Sequence, residues 1–259
     1  MAAAPRTASS REDVTDLAGS TAVGSAVAFV LLTLILIGRG GAVLFGDEDL
    51  ASWSLRHRPD MALALARGVT YTGTGLLPYV LVAVAGLVLG RTARQRILSV
   101  VGLLGCLAAA QAVRYGVMCL VARPRPATAD WATHASGWSF PSGHTTTSAV
   151  TAGLLALAVL ARAPRHRKSL ASAIGCWAVL VGLSRVYLGV HWFSDVLGGW
   201  LFSLCWLSLC TYVVARFAPR TLSASASAIS ASRLRPDPTT EERRHAPPAQ
   251  HEVPPRSTP

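Results

Sequence analysis

Six apolar stretches, each long enough to cross a lipid bilayer, account for about half of this chain of 259 residues. A transmembrane helix needs roughly 17–25 such residues, and a bilayer interior tolerates only helices or closed barrels, in which the backbone satisfies its own hydrogen bonds. The pattern predicts an all-α, polytopic membrane protein with a six-transmembrane helical bundle. The predicted spans lie at about 21–43, 73–91, 97–121, 144–162, 170–188 and 193–216.

The composition, 51% hydrophobic and 14% charged, fits a membrane protein and excludes a soluble one of this size. We expect one membrane domain over 21–218, with its first span kept as a helix rather than removed as a signal peptide. The small, polar segment 1–20 and the Pro-, Arg- and Glu-rich segment 219–259 are predicted to be disordered cytoplasmic extensions. The mixed segment 47–71 is predicted to be an amphipathic helix on the outer membrane surface.

The net charge of +11 is a topology signal, because the basic residues concentrate in two short loops, 90–96 and 162–168, and in the C-terminal segment. Short loops rich in Lys and Arg face the cytoplasm. With six alternating helices, both loops and both termini fall on the cytoplasmic side of the cell membrane. We therefore expect no nucleic-acid partner, and the sequence leaves the oligomeric state open.

Polar clusters lie at the other, outer ends of the spans. The first, Arg-Pro-Arg-Pro at 123–126, ends the third span and presents guanidinium groups that can bind phosphate through two hydrogen bonds. The second, Pro-Ser-Gly-His at 141–144, begins the fourth span, where free backbone N–H groups and the helix dipole favour an anion. Gly143 lets an anion approach the backbone, and His144 adds a proton donor in the same turn.

The third cluster, at 184–195, joins the fifth and sixth spans. Arg185 is a further anion-binding group. His191 and Asp195 are four residues apart, and a carboxylate bonded to one imidazole nitrogen raises the nucleophilicity of the other. Polar groups that converge at a membrane boundary are functional candidates. The three clusters predict phosphoryl transfer through a phosphohistidine: one histidine attacks, arginines hold the phosphoryl oxygens and the other histidine protonates the leaving group.

The order Arg-Pro, Pro-Ser-Gly-His and Ser-Arg-x5-His-x3-Asp resembles the type 2 phosphatidic acid phosphatase superfamily, which also includes the vanadium haloperoxidases. The resemblance covers roughly residues 44–216. It implies a helical bundle that acts without metal or cofactor on a membrane lipid phosphate or diphosphate. It implies that His191 is the nucleophile, Asp195 its orienting partner and His144 the general acid. It also implies a phosphate cradle made of Arg125, Ser142, Gly143 and Arg185.

One position departs from the family pattern, in which the first motif reads Lys-x6-Arg-Pro. Counting back seven residues from Arg125 reaches Met118, whose thioether cannot replace an ammonium group at a phosphate. Arg114, one helical turn earlier, is the candidate replacement, and the alternative is that it pairs elsewhere in the bundle. The sequence predicts an active lipid phosphatase. It leaves open an impaired relative that binds or transports a phospholipid, or a phosphotransferase.

Overall fold

The apolar runs fold into long helices, because a helix satisfies its own backbone in a bilayer. In the computed structural model the described residues are 6–162 and 165–217, with side chains described from residue 12 onward. This part of the chain contains helices, a short 3₁₀ turn at Thr128–Asp130 and no β-strand, which confirms the all-α class. The α-helices are α1 (Arg6–Gly38), α2 (Asp47–Arg56), α3 (Asp60–Thr72), α4 (Leu76–Leu89), α5 (Ala93–Val121), α6 (Gly143–Arg162), α7 (Arg167–Tyr187) and α8 (Phe193–Phe217).

Among the described helices, five are long and apolar enough to cross a membrane: α1, α5, α6, α7 and α8. The helices α3 and α4 make a sixth span only as a pair, bent by 51° where they meet. The predicted span 73–91 therefore matches α4 alone, and it forms a sixth crossing only together with α3. The 14 residues of α4 extend about 21 Å, short of the roughly 30 Å hydrocarbon layer. At the bend, Gly75 has a φ of 68°, which glycine adopts without strain.

The segment 47–71 is two helices rather than the single surface helix that was predicted. Pro59 stands between them. It has no backbone N–H, and its ring disfavours a helical conformation in the residue before it, so a continuous helix cannot form there. The helix α3 also packs against α7, where Arg185 donates a hydrogen bond to the hydroxyl of Thr70 at 2.9 Å. This segment is thus part of the bundle.

The helix α1 includes residues 6–20, so the prediction of a disordered segment 1–20 is wrong for that part. The 33 residues of α1 extend about 50 Å, well beyond the hydrocarbon layer. Hydropathy locates the part of a helix inside the membrane but not the end of the helix, because a polar segment can continue the helix into water. Residues 1–5 and the predicted tail 219–259 lie outside the described residues.

Two loops, 122–142 and 188–192, meet at one end of the bundle. Backbone hydrogen bonds join Ala132 N to Leu188 O at 2.9 Å and Ser142 N to Asp195 O at 3.1 Å. A side chain at Gly198 of α8 would collide with the ring of Phe140. Below the loops lies a buried apolar cluster that fixes the helices carrying them: Val82, Leu107, Ala110, Val150, Leu154 and Phe202.

Candidate active site

A cavity of about 510 Å³ opens between these loops and the ends of α5, α6 and α7. Among the described residues that line it, three are arginines, three are histidines and none is acidic. Such a site favours a compact anion. It brings together six of the eight residues singled out by the sequence: Arg114, Arg125, Gly143, His144, Arg185 and His191.

The orientation of His191 defines which of its nitrogens faces the cavity. Arg125 Nη1 lies 2.9 Å from His191 Nε2. A guanidinium can only donate, so Nε2 is the acceptor and a neutral imidazole carries its proton on Nδ1. That Nδ1 lies 3.4 Å from Oδ2 of Asp195. The carboxylate thus holds the ring at Nδ1, and the lone pair of Nε2 is directed towards Arg125 and the cavity.

Asp195 does not line the cavity but is fully buried behind His191. Its Oδ2 accepts a hydrogen bond from the backbone N–H of Trp192 at 2.8 Å and another from the hydroxyl of Ser139. Its Oδ1 accepts one from Arg123 Nη1 at 2.6 Å. A buried carboxylate with this many donors stays ionised and in place.

The pKa of His191 falls from its ordinary 6.5 to about 4. Burial is the largest cause, because it disfavours the imidazolium; the hydrogen bond to Asp195 opposes it, while the positive charges of Arg125 and Arg185 add to it. The imidazole is therefore neutral at pH 7, and its Nε2 carries no proton and accepts the hydrogen bond from Arg125.

The lowered pKa of His191 predicts a loss of stability in acid. Between pH 6.5 and 4 the unfolded chain protonates this imidazole and the folded chain does not, so unfolding takes up a proton and the free energy of unfolding falls as pH falls. Between pH 7 and pH 4, the free energy of unfolding of the wild type should fall by about 3 kcal/mol more than that of His191→Gln. Melting temperatures of both proteins in detergent across this range measure the difference, and parallel curves would contradict it.

Arg125 and Arg185 are held differently. Arg125 donates to backbone carbonyls of both loops, including Gly137 O at 2.9 Å and Val190 O at 2.7 Å, which fixes its head group beside His191. Arg185 is 1% exposed; its Nη1 binds Thr70, and its buried Nε has no hydrogen-bond partner in the described part of the chain. Arg185 thus lines the cavity with part of its hydrogen-bonding capacity unused, and its role in binding phosphate stays a prediction.

Arg114 reaches the first turn of α6. A Cβ added at Gly143 would lie 3.5 Å from Arg114 Nη1. Within the described residues the hydrogen-bond partners of Arg114 are neutral: Gln111 Oε1 at 3.1 Å and Met118 Sδ at 3.5 Å. The guanidinium thus lies beside the helix N-terminus with its charge uncompensated by an acid, and Met118 supports it from the next turn.

Ser142 lies under the cavity rather than in its wall. Its side chain is fully buried, and its hydroxyl accepts a hydrogen bond from Thr145 at 3.0 Å. Its place in the phosphate cradle stays a prediction. In the described part of the chain, no three His, Cys, Asp or Glu side chains are grouped to hold a metal ion.

Sequence reasoning missed residues behind the histidine. Ser139 and Arg123, which bind Asp195, were not singled out as site residues. Arg123 stands in the Arg-Pro-Arg-Pro motif, so a signal was present, but the motif does not tell which arginine faces the cavity. Asp47 was placed on the outer surface and is fully buried, where it forms an ion pair with Arg123 at 2.8 Å.

The long apolar helices define the chain as a multi-pass membrane protein. Its basic cavity has the charge that an anionic group such as a phosphate requires. Comparison with known proteins agrees. The PAP2 superfamily pattern matches residues 99–219. Phosphatidylglycerophosphatase B of Bacillus subtilis is 31% identical over 185 residues, which cover 69% of this chain and 89% of that protein. The chain belongs to the PAP2 superfamily and is a membrane phosphatase.

Two further relatives are similar over different extents. Lipid A 1-phosphatase of Rhizobium etli is 44% identical over 81 residues, 31% of each chain. The crystal structure of the first transmembrane PAP2 type phosphatidylglycerolphosphate phosphatase from Bacillus subtilis superposes with a TM-score of 0.64 at 25% identity, covering 77% of this chain and 98% of that one. These relatives confirm the family to which the sequence motifs pointed.

Proposed function

We propose that the protein hydrolyses a lipid phosphate or diphosphate through a phosphohistidine formed on His191. The observation that carries the proposal is the orientation of the imidazole, with Arg125 at Nε2 and Asp195 at Nδ1. A neutral imidazole held in this way directs a lone pair into a cavity lined by arginines. A nucleophile oriented from behind by a carboxylate is the arrangement that covalent catalysis needs.

In the first step, His191 Nε2 attacks phosphorus; the N–P bond forms as the bond from phosphorus to the leaving oxygen breaks. His144 gives that oxygen a proton, and Asp195 balances the positive charge on the phosphorylated imidazole. In the second step, water attacks phosphorus and gives a proton to His144 as the N–P bond breaks. Free phosphate and neutral His191 result. The arginines and the N-terminus of α6 stabilise the charge on the phosphoryl oxygens.

The substrate class follows from the relatives and from the surroundings of the cavity. Polyprenyl diphosphate, phosphatidylglycerol phosphate and phosphatidic acid all join a phosphate to long apolar chains, and the B. subtilis relative is a phosphatidylglycerophosphatase by name. A second cavity of about 440 Å³, lined mainly by apolar residues of α2, α3 and α7, includes Ser184 and Val186, the neighbours of Arg185. The helix α7 thus presents Arg185 to one cavity and apolar residues to the other, which supports an amphipathic substrate.

The test is release of inorganic phosphate by the detergent-purified protein from a panel of these three lipids, with a matched short-chain alcohol as an alternative acceptor. Release from one lipid supports the proposal and names the substrate. Transfer to the alcohol in place of water identifies a phosphotransferase. A folded protein that binds a lipid of the panel but releases nothing identifies the binding or transport alternative.

We also propose that the cavity faces the extracytoplasmic side and that both termini are cytoplasmic. The basic residues within 90–96 and 165–168 lie at the opposite end of the bundle, where α5 and α7 begin, and short basic segments between spans stay in the cytoplasm. In a variant whose five native cysteines are replaced by serine, a cysteine introduced at exposed Ser136 should react with a membrane-impermeant maleimide in intact cells. One introduced at exposed Ser169, in α7 near the basic loop, should react only after permeabilisation. The reverse pattern would overturn the orientation.

A further inference from the structure

Asp47 is the first residue of α2, and its side chain is fully buried. Its carboxylate accepts hydrogen bonds from Leu44 N at 2.8 Å, from Arg123 Nη2 at 2.8 Å and from the hydroxyl of Ser194 at 2.7 Å. Burying a charge is costly unless it is paired and fully hydrogen-bonded. These contacts meet that condition and fix the position of the carboxylate.

Arg123 connects Asp47 to the carboxylate behind the nucleophile. Its Nη2 forms an ion pair with Asp47 at 2.8 Å and its Nη1 forms one with Asp195 at 2.6 Å, and all three side chains have no exposed surface. Its other contacts include the backbone carbonyls of Gly41 and Ala42, each at 3.2 Å. One guanidinium therefore shares its charge between two buried carboxylates.

Asp47 also fixes the backbone that carries Asp195. Its Oδ1 accepts a hydrogen bond from the backbone N–H of Ser194 at 2.8 Å. Ser194 is the second residue of α8, where the N–H has no partner inside the helix. A carboxylate at this place caps the helix and complements its dipole. The residue that follows Ser194 is Asp195, so the cap holds Asp195 in register.

We propose that Asp47 is a positioning residue for phosphoryl transfer, acting through Arg123 and Ser194 to hold Asp195 against the Nδ1–H of His191. The inference rests on the proposed function, in which His191 is the nucleophile. Without the negative charge of Asp47, Arg123 directs its whole charge to Asp195 and draws it away from the imidazole, while the first turn of α8 loses its cap. Asp47 does not line the cavity, so the chemical step suffers rather than lipid binding.

The test compares steady-state kinetics of the full-length Asp47→Asn variant with the wild type on the lipid that releases phosphate. We expect kcat to fall about 10- to 100-fold, the usual effect of removing an outer partner of a catalytic group, with KM unchanged. Asp49→Asn makes the same change two residues later at an exposed position and should match the wild type. A folded Asp47→Asn variant with wild-type kcat, or with a raised KM alone, overturns the inference.

A second variant covers the case in which Asp47→Asn does not fold. Ser194→Ala keeps the Asp47 charge but removes the hydroxyl that Asp47 and Arg123 both contact. A lowered kcat at unchanged KM then supports the inference, and a wild-type kcat overturns the part of it that acts through the hydroxyl of Ser194. His191→Ala in the same assay distinguishes a failure of the proposed function from a failure of the role of Asp47. If His191→Ala is fully active, the proposed function fails; if it is inactive while Asp47→Asn equals the wild type, only the role of Asp47 fails.

Discussion

Replacing His191 with alanine is expected to lower kcat for phosphate release by about 10⁴- to 10⁶-fold, the loss seen when an enzyme loses its nucleophile. Nε2 of His191 is the nitrogen that faces the cavity, while Asp195 lies at Nδ1 on the other side of the ring. The three arginines that line the cavity remain in the variant, so it should still bind the lipid. Phosphate release and lipid binding, measured on the same preparation, test both expectations.

The matched control for this variant is His57→Ala. His57 is exposed and lies outside the cavity, and its ring makes a local contact with Trp53 O at 2.8 Å. This change should leave kcat close to that of the wild type. If His191→Ala keeps more than about one hundredth of the wild-type rate, which lies far above the residual activity of enzymes without their nucleophile, a phosphohistidine on His191 is not the route of hydrolysis.

Replacing Arg114 with alanine is expected to lower kcat/KM about 10²- to 10³-fold, the usual effect of losing one donor to developing charge. The family pattern has a lysine where this chain has Met118, and the Arg114 guanidinium reaches the first turn of α6, beside Gly143. Arg114→Lys should lose less than Arg114→Ala, since it keeps the charge. The comparison is made on the lipid that the wild type hydrolyses.

Two further variants sharpen this test. Arg94→Ala removes an exposed arginine at the other end of the same helix and should have no effect. Adding Met118→Lys to Arg114→Ala should restore part of the rate, because Met118 lines the same cavity and a lysine there can extend its ammonium to the phosphate. Wild-type kinetics for Arg114→Ala would show instead that this arginine serves only the packing of the bundle.

Six of the eight residues singled out by the sequence lie around one cavity, and most of them belong to short motifs at the ends of apolar spans. His191 and Asp195 are four residues apart, and the Pro-Ser-Gly-His turn begins a helix, so local spacing carries the information. The topology then places the motifs at one end of the bundle. The end of the bundle at which each motif lies depends on the alternation of the spans and not on which helices pack together.

What the sequence could not predict depends on contacts between distant parts of the chain. Asp47 and Arg123 are 76 residues apart, and an acidic residue that begins an amphipathic segment has the same local pattern whether it meets water or a buried arginine. The bend between α3 and α4 was missed for a related reason. Hydropathy averages over a window and does not resolve the glycine, Gly75, at which the helix direction changes.

The most direct test of a phosphohistidine on His191 is to trap the phosphoenzyme. The wild-type protein would be mixed briefly with the lipid it hydrolyses, labelled in its phosphate, then denatured and mapped by mass spectrometry. We expect phosphate on His191, stable in alkali and lost in acid as a phosphorus–nitrogen bond requires, and no label on His191→Ala. Phosphate release at the full rate with no labelled His191 at any mixing time would contradict a covalent intermediate on His191 and indicate direct attack by water.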